Sequence, residues 1–273
     1  MNEIQQIKHS VSNFLSKDYK VLNLFYTKPC NFCVVKEEWE SKLNFSPDIL
    51  LIKESEYYFC FVLNKQSKIE EAKNYAKNHK FLGNFKIYNV DENKLFELKD
   101  EKFTLISDTL KFENTKITPI SRPLKSLKEI FKPNMALGKK GEDELIKFFG
   151  RIEKDCIDLN FNSPCDTCSK IENWKKFNKL PDGILKEKND LYFFDAKSKK
   201  SRKFIINYRD FEEYRKIEKI YKINVRIYFL LFDYNEKLKE IFQANLKVDE
   251  LNLTTAWDGN KVIDLSKNLT QLY

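Results

Sequence analysis

Two short apolar runs, Ile184-Leu185 and Leu191-Tyr192-Phe193-Phe194, flank the polar stretch Lys186-Glu187-Lys188-Asn189-Asp190. This spacing leaves few folds open. The runs are rich in aliphatic and aromatic residues, as strands are. The stretch between them carries Asn and Asp, which suit a tight turn. With Lys188 and Asn189 as the central turn residues, Glu187 faces Asp190. Counting outward, Ile184 then faces Phe193 and Asp182 faces Asp195. A slip of one residue would turn every side chain to the other face, so the alignment of the two acids is a sharp expectation.

In a pleated strand every second side chain points the same way, which puts Asp195 and Lys197 on one face. Ala196 points away, but its carbonyl lies near that face. Two carboxylates converging on one point hold a hard divalent cation. A lysine beside them can orient and activate a water. Hydrolysis of a phosphodiester needs this combination, so the residues point to a metal-dependent nuclease. The competing reading is an exposed hairpin with ordinary surface charges, since an acid-x-lysine triplet alone is common.

Pro181-Asp182 followed by Asp195-Ala196-Lys197 resembles the motif of the PD-(D/E)XK nuclease superfamily, whose members share a restriction-endonuclease-like fold. The resemblance spans residues from about 134 to 235. It implies an α/β fold with an αβββαβ core in the C-terminal half. It implies Mg²⁺ (or Mn²⁺) held by Asp182, Asp195 and the carbonyl of Ala196, with Lys197 placing the water. The family also has a glutamate in its first helix, a role that passes here to Glu142.

The periodicity of residues 138–149 predicts that helix. Leu145, Ile146 and Phe149 form one apolar stripe, and Glu142 lies in its middle while Asp143 and Glu144 point away. A carboxylate on a buried face needs a partner. The alternative is a first-turn acid facing solvent and favouring the helix dipole. Residues 151–159 read as the next strand. Asn207 is suited to cap a second helix whose stripe is Tyr208, Phe211, Tyr214, Ile217 and Tyr221. Val225–Phe232 reads as a buried strand.

After Lys197, the run Ser198-Lys199-Lys200-Ser201-Arg202-Lys203 is strongly basic. Beside a metal site, Lys199, Lys200, Ser201, Arg202 and Lys203 are candidate contacts to DNA phosphates, of the salt-dependent kind that ignores sequence. The net charge of +8 is shared evenly, +4 from residues 1–133 and +4 from the remainder. Neither half is therefore a highly basic module, and any nucleic-acid surface is local. Only His9 and His79 are present, far from the motif. That argues against a histidine-based metal nuclease centre and against a histidine-dependent triad.

Cys30-Asn31-Phe32-Cys33 and Cys165-Asp166-Thr167-Cys168 each follow a proline. Each pair has the bite of a tetrahedral zinc knuckle. Shared by Cys30, Cys33, Cys165 and Cys168, a structural Zn²⁺ would clamp the N-terminal region onto the nuclease domain. Three other readings stay open: unrelated buried thiols, metal shared with another chain, or a thioredoxin-like redox dithiol at Cys30 and Cys33.

Residues 1–118 read as an N-terminal α/β domain for recognition or dimerisation, with strands at 21–26, 49–53, 57–63 and 85–90. A helix is expected at 68–80 and a hairpin from 103–106 and 109–112. Pro119, Pro123 and Pro133 mark 119–133 as a linker, and 134–273 is the nuclease-like domain. The first twenty residues form an amphipathic surface helix rather than a secretory segment or membrane anchor, and the expected location is cytoplasmic with reduced cysteines. No phosphate-binding glycine loop is visible, so nucleotide hydrolysis is not expected.

The function expected is a Mg²⁺-dependent endonuclease acting on double-stranded DNA in restriction or defence, most simply as a homodimer. DNA repair or junction resolution is the alternative. In other classes stand a non-catalytic zinc-stabilised module binding nucleic acid or protein, and a Cys-x-x-Cys thiol oxidoreductase.

Overall fold

The computed structural model describes residues 3–24, 47–54, 56–64, 66–79, 84–99, 102–107, 132–158, 179–188, 190–246, 253–256 and 259–273. The chain divides into two compact units, one holding the described residues up to 107 and the other those from 132 onward. The expected linker lies outside the described residues except for Lys132 and Pro133, which open a helix. Among the described residues no helix is long and apolar enough to cross a membrane.

In the first unit, α1 (Glu3–Leu15) leads to β1 (Lys20–Asn23), β2 (Ile49–Lys53), β3 (Glu56–Leu63), α2 (Gln66–Asn78), β4 (Asn84–Asn89), β5 (Lys94–Lys99) and β6 (Lys102–Ser107). The strands lie side by side in chain order. All pairs are antiparallel except β3 with β4. A parallel pair needs a crossover, which α2 supplies by packing on both strands. Ile49, Leu50, Leu51, Phe59, Cys60 and Phe61 are fully buried. Such continuous apolar runs belong to strands covered on both faces. Residues 103–106 lie in β6, which pairs with β5; the second arm of the expected hairpin, 109–112, lies outside the described residues. β5 escapes a period-two reading because Leu95 and Phe96 are adjacent, and the register shifts between them.

The second unit runs α3 (Lys132–Arg151), β7 (Cys156–Asp158), β8 (Gly183–Glu187), β9 (Asp190–Lys199), β10 (Ile205–Asn207), α4 (Tyr208–Tyr221), β11 (Asn224–Phe232), β12 (Leu238–Asn245), β13 (Leu253–Thr255), β14 (Lys261–Asp264) and β15 (Leu269–Gln271). Its main sheet has the order β15-β12-β11-β9-β8-β7, and β10, β14 and β13 form a small second sheet. β9 and β11 are parallel, with α4 in the crossover. Leu145, Phe148 and Phe149 of α3 pack on Phe194, Tyr228 and Leu230.

Two element ends differ from expectation. The strand expected from 151 begins only at Cys156, because α3 runs on to Arg151. It stops in a left-handed cap: Glu153 has φ 56°, and the N–H groups of Glu153 and Lys154 donate to Gly150 O and Phe149 O at 3.3 and 2.9 Å. Asn207 stands at the N-cap of α4, yet its side chain makes no capping hydrogen bond. It is the last residue of β10, paired with Val262, and its extended backbone serves that ladder.

Two glycines set how closely the layers approach. A methyl at Gly141 of α3 would lie 2.0 Å from Ser198 Oγ of β9. The same hydroxyl donates to Leu137 O at 2.8 Å, so the small Ser198 side chain spans the gap between helix and strand. A methyl at Gly183 would lie 2.1 Å from the Phe194 ring and 2.6 Å from Ile157 O. Gly183→Ala is expected to destabilise the protein by about 1–3 kcal/mol through overpacking. Urea denaturation checks this, and an unchanged midpoint would contradict the close packing.

Candidate active site

The β8–β9 ladder pairs Gly183 with Phe194, Ile184 with Phe193 and Glu187 with Asp190. This is the register counted outward from a turn at 188–189. Lys188 has φ 57°, as the first central residue of a type I′ hairpin turn does. One step past the ladder, Asp182 N–H still donates to Phe194 O at 2.8 Å. Asp182 Oδ2 accepts from Ala196 N–H at 2.7 Å. The first acid is thereby fastened across the hairpin, beside the second.

Asp195 is fully buried. Neither of its oxygens has a hydrogen-bond partner of regular geometry. Each faces an ammonium instead, Oδ1 at 3.0 Å from Lys179 Nζ and Oδ2 at 2.7 Å from Lys197 Nζ. Lys179 Nζ also lies 3.7 Å from Asp182 Oδ1, so it is wedged between the two acids. Lys197 is held from α4 as well. It lies 3.8 Å from Asp210 Oδ2 and donates to Tyr214 Oη at 3.5 Å.

The two acids titrate as a pair, and their surroundings drive them apart. Burial, then the charge of Asp195, pushes the Asp182 carboxyl up to about 7 against the pull of Lys179. Burial would raise Asp195 too, but the ammoniums of Lys179 and Lys197 overcome it, aided by the Tyr214 hydroxyl, and hold its carboxyl at about 2. Burial works against a charged Lys179; the carboxylates of Asp195 and Asp182 outweigh it and keep the ammonium protonated. Tyr214 is raised well above the usual tyrosine range, by burial first and then by Asp195.

Glu142 lies on the buried face of α3, 7% exposed. Lys139 Nζ stands 3.2 Å from its Oε2 and 3.2 Å from Asp158 Oδ2. Burial raises the Glu142 carboxyl, opposed by Lys139, and its charge is felt at Asp182. Glu142, Asp182, Asp195 and Lys197 thus share one electrostatic neighbourhood. Among the described residues, no three His, Cys, Asp or Glu side chains are grouped closely enough to hold a metal ion. The candidate donors are the buried carboxylates of Asp182 and Asp195. Two hard oxygen ligands in a buried place, one of them compensated by ammoniums alone, would suit Mg²⁺, which is held by one or two carboxylates and keeps several waters.

From Lys200 to Lys203 the basic run is exposed, and its ion pairs are of the weak surface kind. Lys200 pairs with Glu236, and Arg202 pairs with Glu240. Lys199 donates to Ile205 O at 3.3 Å and is held below the usual lysine range, by burial and then by Lys197. Ser201 and Lys203 are exposed. At the start of α4, Arg209 and Lys261 line a cavity of about 340 Å³ with Asn207, Tyr208 and Asn260. Cys30, Cys33, Cys165 and Cys168 lie outside the described residues.

Three residues of the site were not anticipated. Lys179 precedes the strand, and period-two counting gives no hint that it meets Asp182. Tyr214 sits on the apolar stripe of α4 and reads as packing, although a buried phenol needs a partner for its hydroxyl. Asp210 reads as a first-turn acid.

No protein-family model matches the chain, and no curated protein matches it in sequence. Among solved structures, the chain is similar to Hjc, a Holliday junction resolvase from the archaeal hyperthermophile Archaeoglobus fulgidus. The match has a TM-score of 0.33 and 11% identity, and it covers 50% of this chain and 91% of that one. So distant a likeness carries no functional weight.

The raised Asp182 gives a sign for pH dependence. Its folded value of about 7 exceeds the ordinary aspartate value of 3.8, so folding favours the protonated form. That stabilisation is complete below the unfolded value and is lost as pH rises through about 7. In chelator-treated protein, Asp182→Asn is expected to be more stable than wild type at pH 8, with the advantage shrinking towards pH 5. Urea denaturation at the two pH values measures it; a difference independent of pH would contradict the raised carboxyl.

Proposed function

We propose that the C-terminal unit is a metal-dependent nuclease of the PD-(D/E)XK type that hydrolyses phosphodiester bonds of double-stranded DNA. The observation that carries this reading is the buried Asp182–Asp195 pair with Lys197 against it. The order α3, β7, β8, β9, α4, β11 supports it, since the family resemblance calls for helix, three strands, helix and strand. Here β10 is a short addition before α4.

Asp182 and Asp195 would hold Mg²⁺ or Mn²⁺. The Ala196 carbonyl leaves β9 on the edge where its N–H meets Asp182, because both groups of an extended residue point to one neighbour. When bound, the ion supplies Lewis acidity and a water of lowered pKa. The chain's own residues do the rest. Asp195, Asp210 and Tyr214 fix the Lys197 ammonium at the floor of the site, where it orients the attacking water and balances charge developing on the phosphoryl oxygens. Glu142, buried beside the pair, orients a further water. Arg209, Lys261 and the exposed Lys203 offer cations to the flanking phosphates. A role in restriction or defence follows if the N-terminal unit reads the target.

Purified protein incubated with plasmid and Mg²⁺ is expected to cleave it. Asp195→Ala and Lys197→Ala should each lower the rate by about 100-fold or more. Cleavage unaffected by either change would mean a contaminant, and failure to cut any DNA or RNA would sink the reading. Sequencing the cut ends gives the target.

A further inference from the structure

Metal-free, a pair of buried carboxylates should repel, and charge this deep is tolerated only when paired. Two ammoniums answer that need, and they are not equivalent. Lys197 is built into β9, its backbone locked in the ladder to β11 opposite Phe229, and α4 grips its head through Asp210 and Tyr214. Lys179 lies outside regular structure, three residues before Asp182. Its side chain remains a quarter exposed, while Asp195 is wholly enclosed. Its nitrogen stands 3.0 Å from Asp195 and 3.7 Å from Asp182, on the oxygens Oδ1 of both. Lys197 and the Ala196 N–H engage the Oδ2 atoms. Among the described residues, Lys179 is thus the cation that the two Oδ1 atoms share.

A bridging place between two carboxylates is also the place for a divalent ion. The two cations exclude each other, by overlap and by repulsion that is strong at such separations away from bulk water. Resting on the nuclease reading above, we propose that Lys179 is a tethered counter-ion that holds the metal place in the metal-free protein, and that an incoming divalent cation must displace it. The ammonium is buried at rest, but a quarter of the side chain is exposed, so the lysine can swing its head outward to the mouth of the site. A DNA phosphate at the mouth gives the displaced ammonium a new partner. Metal and DNA therefore help each other bind, since a coupling of this kind is reciprocal. The site stays compensated until substrate arrives.

The test measures ion binding rather than turnover. Mn²⁺ is titrated calorimetrically into metal-free full-length wild type, Lys179→Met, Lys179→Gln and Asp195→Ala. Thermal unfolding of each is followed in chelator and in saturating Mn²⁺. Both Lys179 variants are expected to bind Mn²⁺ about tenfold or more tightly than wild type. They should melt lower than wild type in chelator, with the deficit closing in Mn²⁺, a reversal that a merely structural lysine would not produce. Asp195→Ala should bind no ion there. If wild type binds Mn²⁺ through Asp195 and neither Lys179 variant binds it more tightly, the counter-ion proposal falls while the nuclease reading stands. If wild type and both Lys179 variants bind no ion at all, the nuclease reading falls and takes this inference with it.

Discussion

The second unit is organised around a charge problem: two aspartates brought side by side in a place that water barely reaches. Asp195 has no exposure, and Asp182 has almost none. An isolated carboxylate in such a setting would take up a proton or pull its surroundings open. Instead the pair divides the labour. One acid stays ionised between two ammoniums, and the other rides near neutrality. Each neighbouring element contributes to that compromise. β9 supplies Lys197, the chain before β8 supplies Lys179, and α4 supplies Asp210 and the Tyr214 phenol.

The apolar framework makes the arrangement rigid. Phe149 meets the rings of Phe194 and Tyr228 edge to face at 5.4 and 5.2 Å, tying α3 to the two central strands. The bare backbone of Gly141 lets α3 settle directly on Ser198, and Glu142 follows it into the interior. β11, parallel to β9 and buried along nearly its whole length, closes the far side. None of these contacts is chemical in purpose, yet together they decide where each charged atom stops.

Much of the hairpin was legible because its information is local. A turn rich in Asn and Asp between two apolar runs fixes a register, and the register fixes which side chains oppose. Glu142 was legible for a related reason: a charge in the middle of the stripe Leu145, Ile146, Phe149 breaks a pattern, and broken patterns are visible. Lys179 follows no pattern. It reaches the acids from irregular chain, through a conformation set by tertiary packing. Tyr214 fits its pattern too well, so its polar tip hides among core residues. The ending of α3 depended on a non-glycine residue, Glu153, accepting a left-handed backbone. The bulge of β5 and the strands after Leu238 rest on cross-strand partners that a linear reading does not see.

The register of the β8–β9 hairpin has one more implication, for how such a gene can vary. The hairpin works as a ruler with the acids at its two ends. Losing or gaining a single codon inside either arm, between Asp182 and Glu187 or between Asp190 and Asp195, would invert that arm of the pleat and turn an acid to the opposite side of the sheet. Length changes in related genes should therefore collect at the turn or outside this interval, and within the two arms only substitutions should survive.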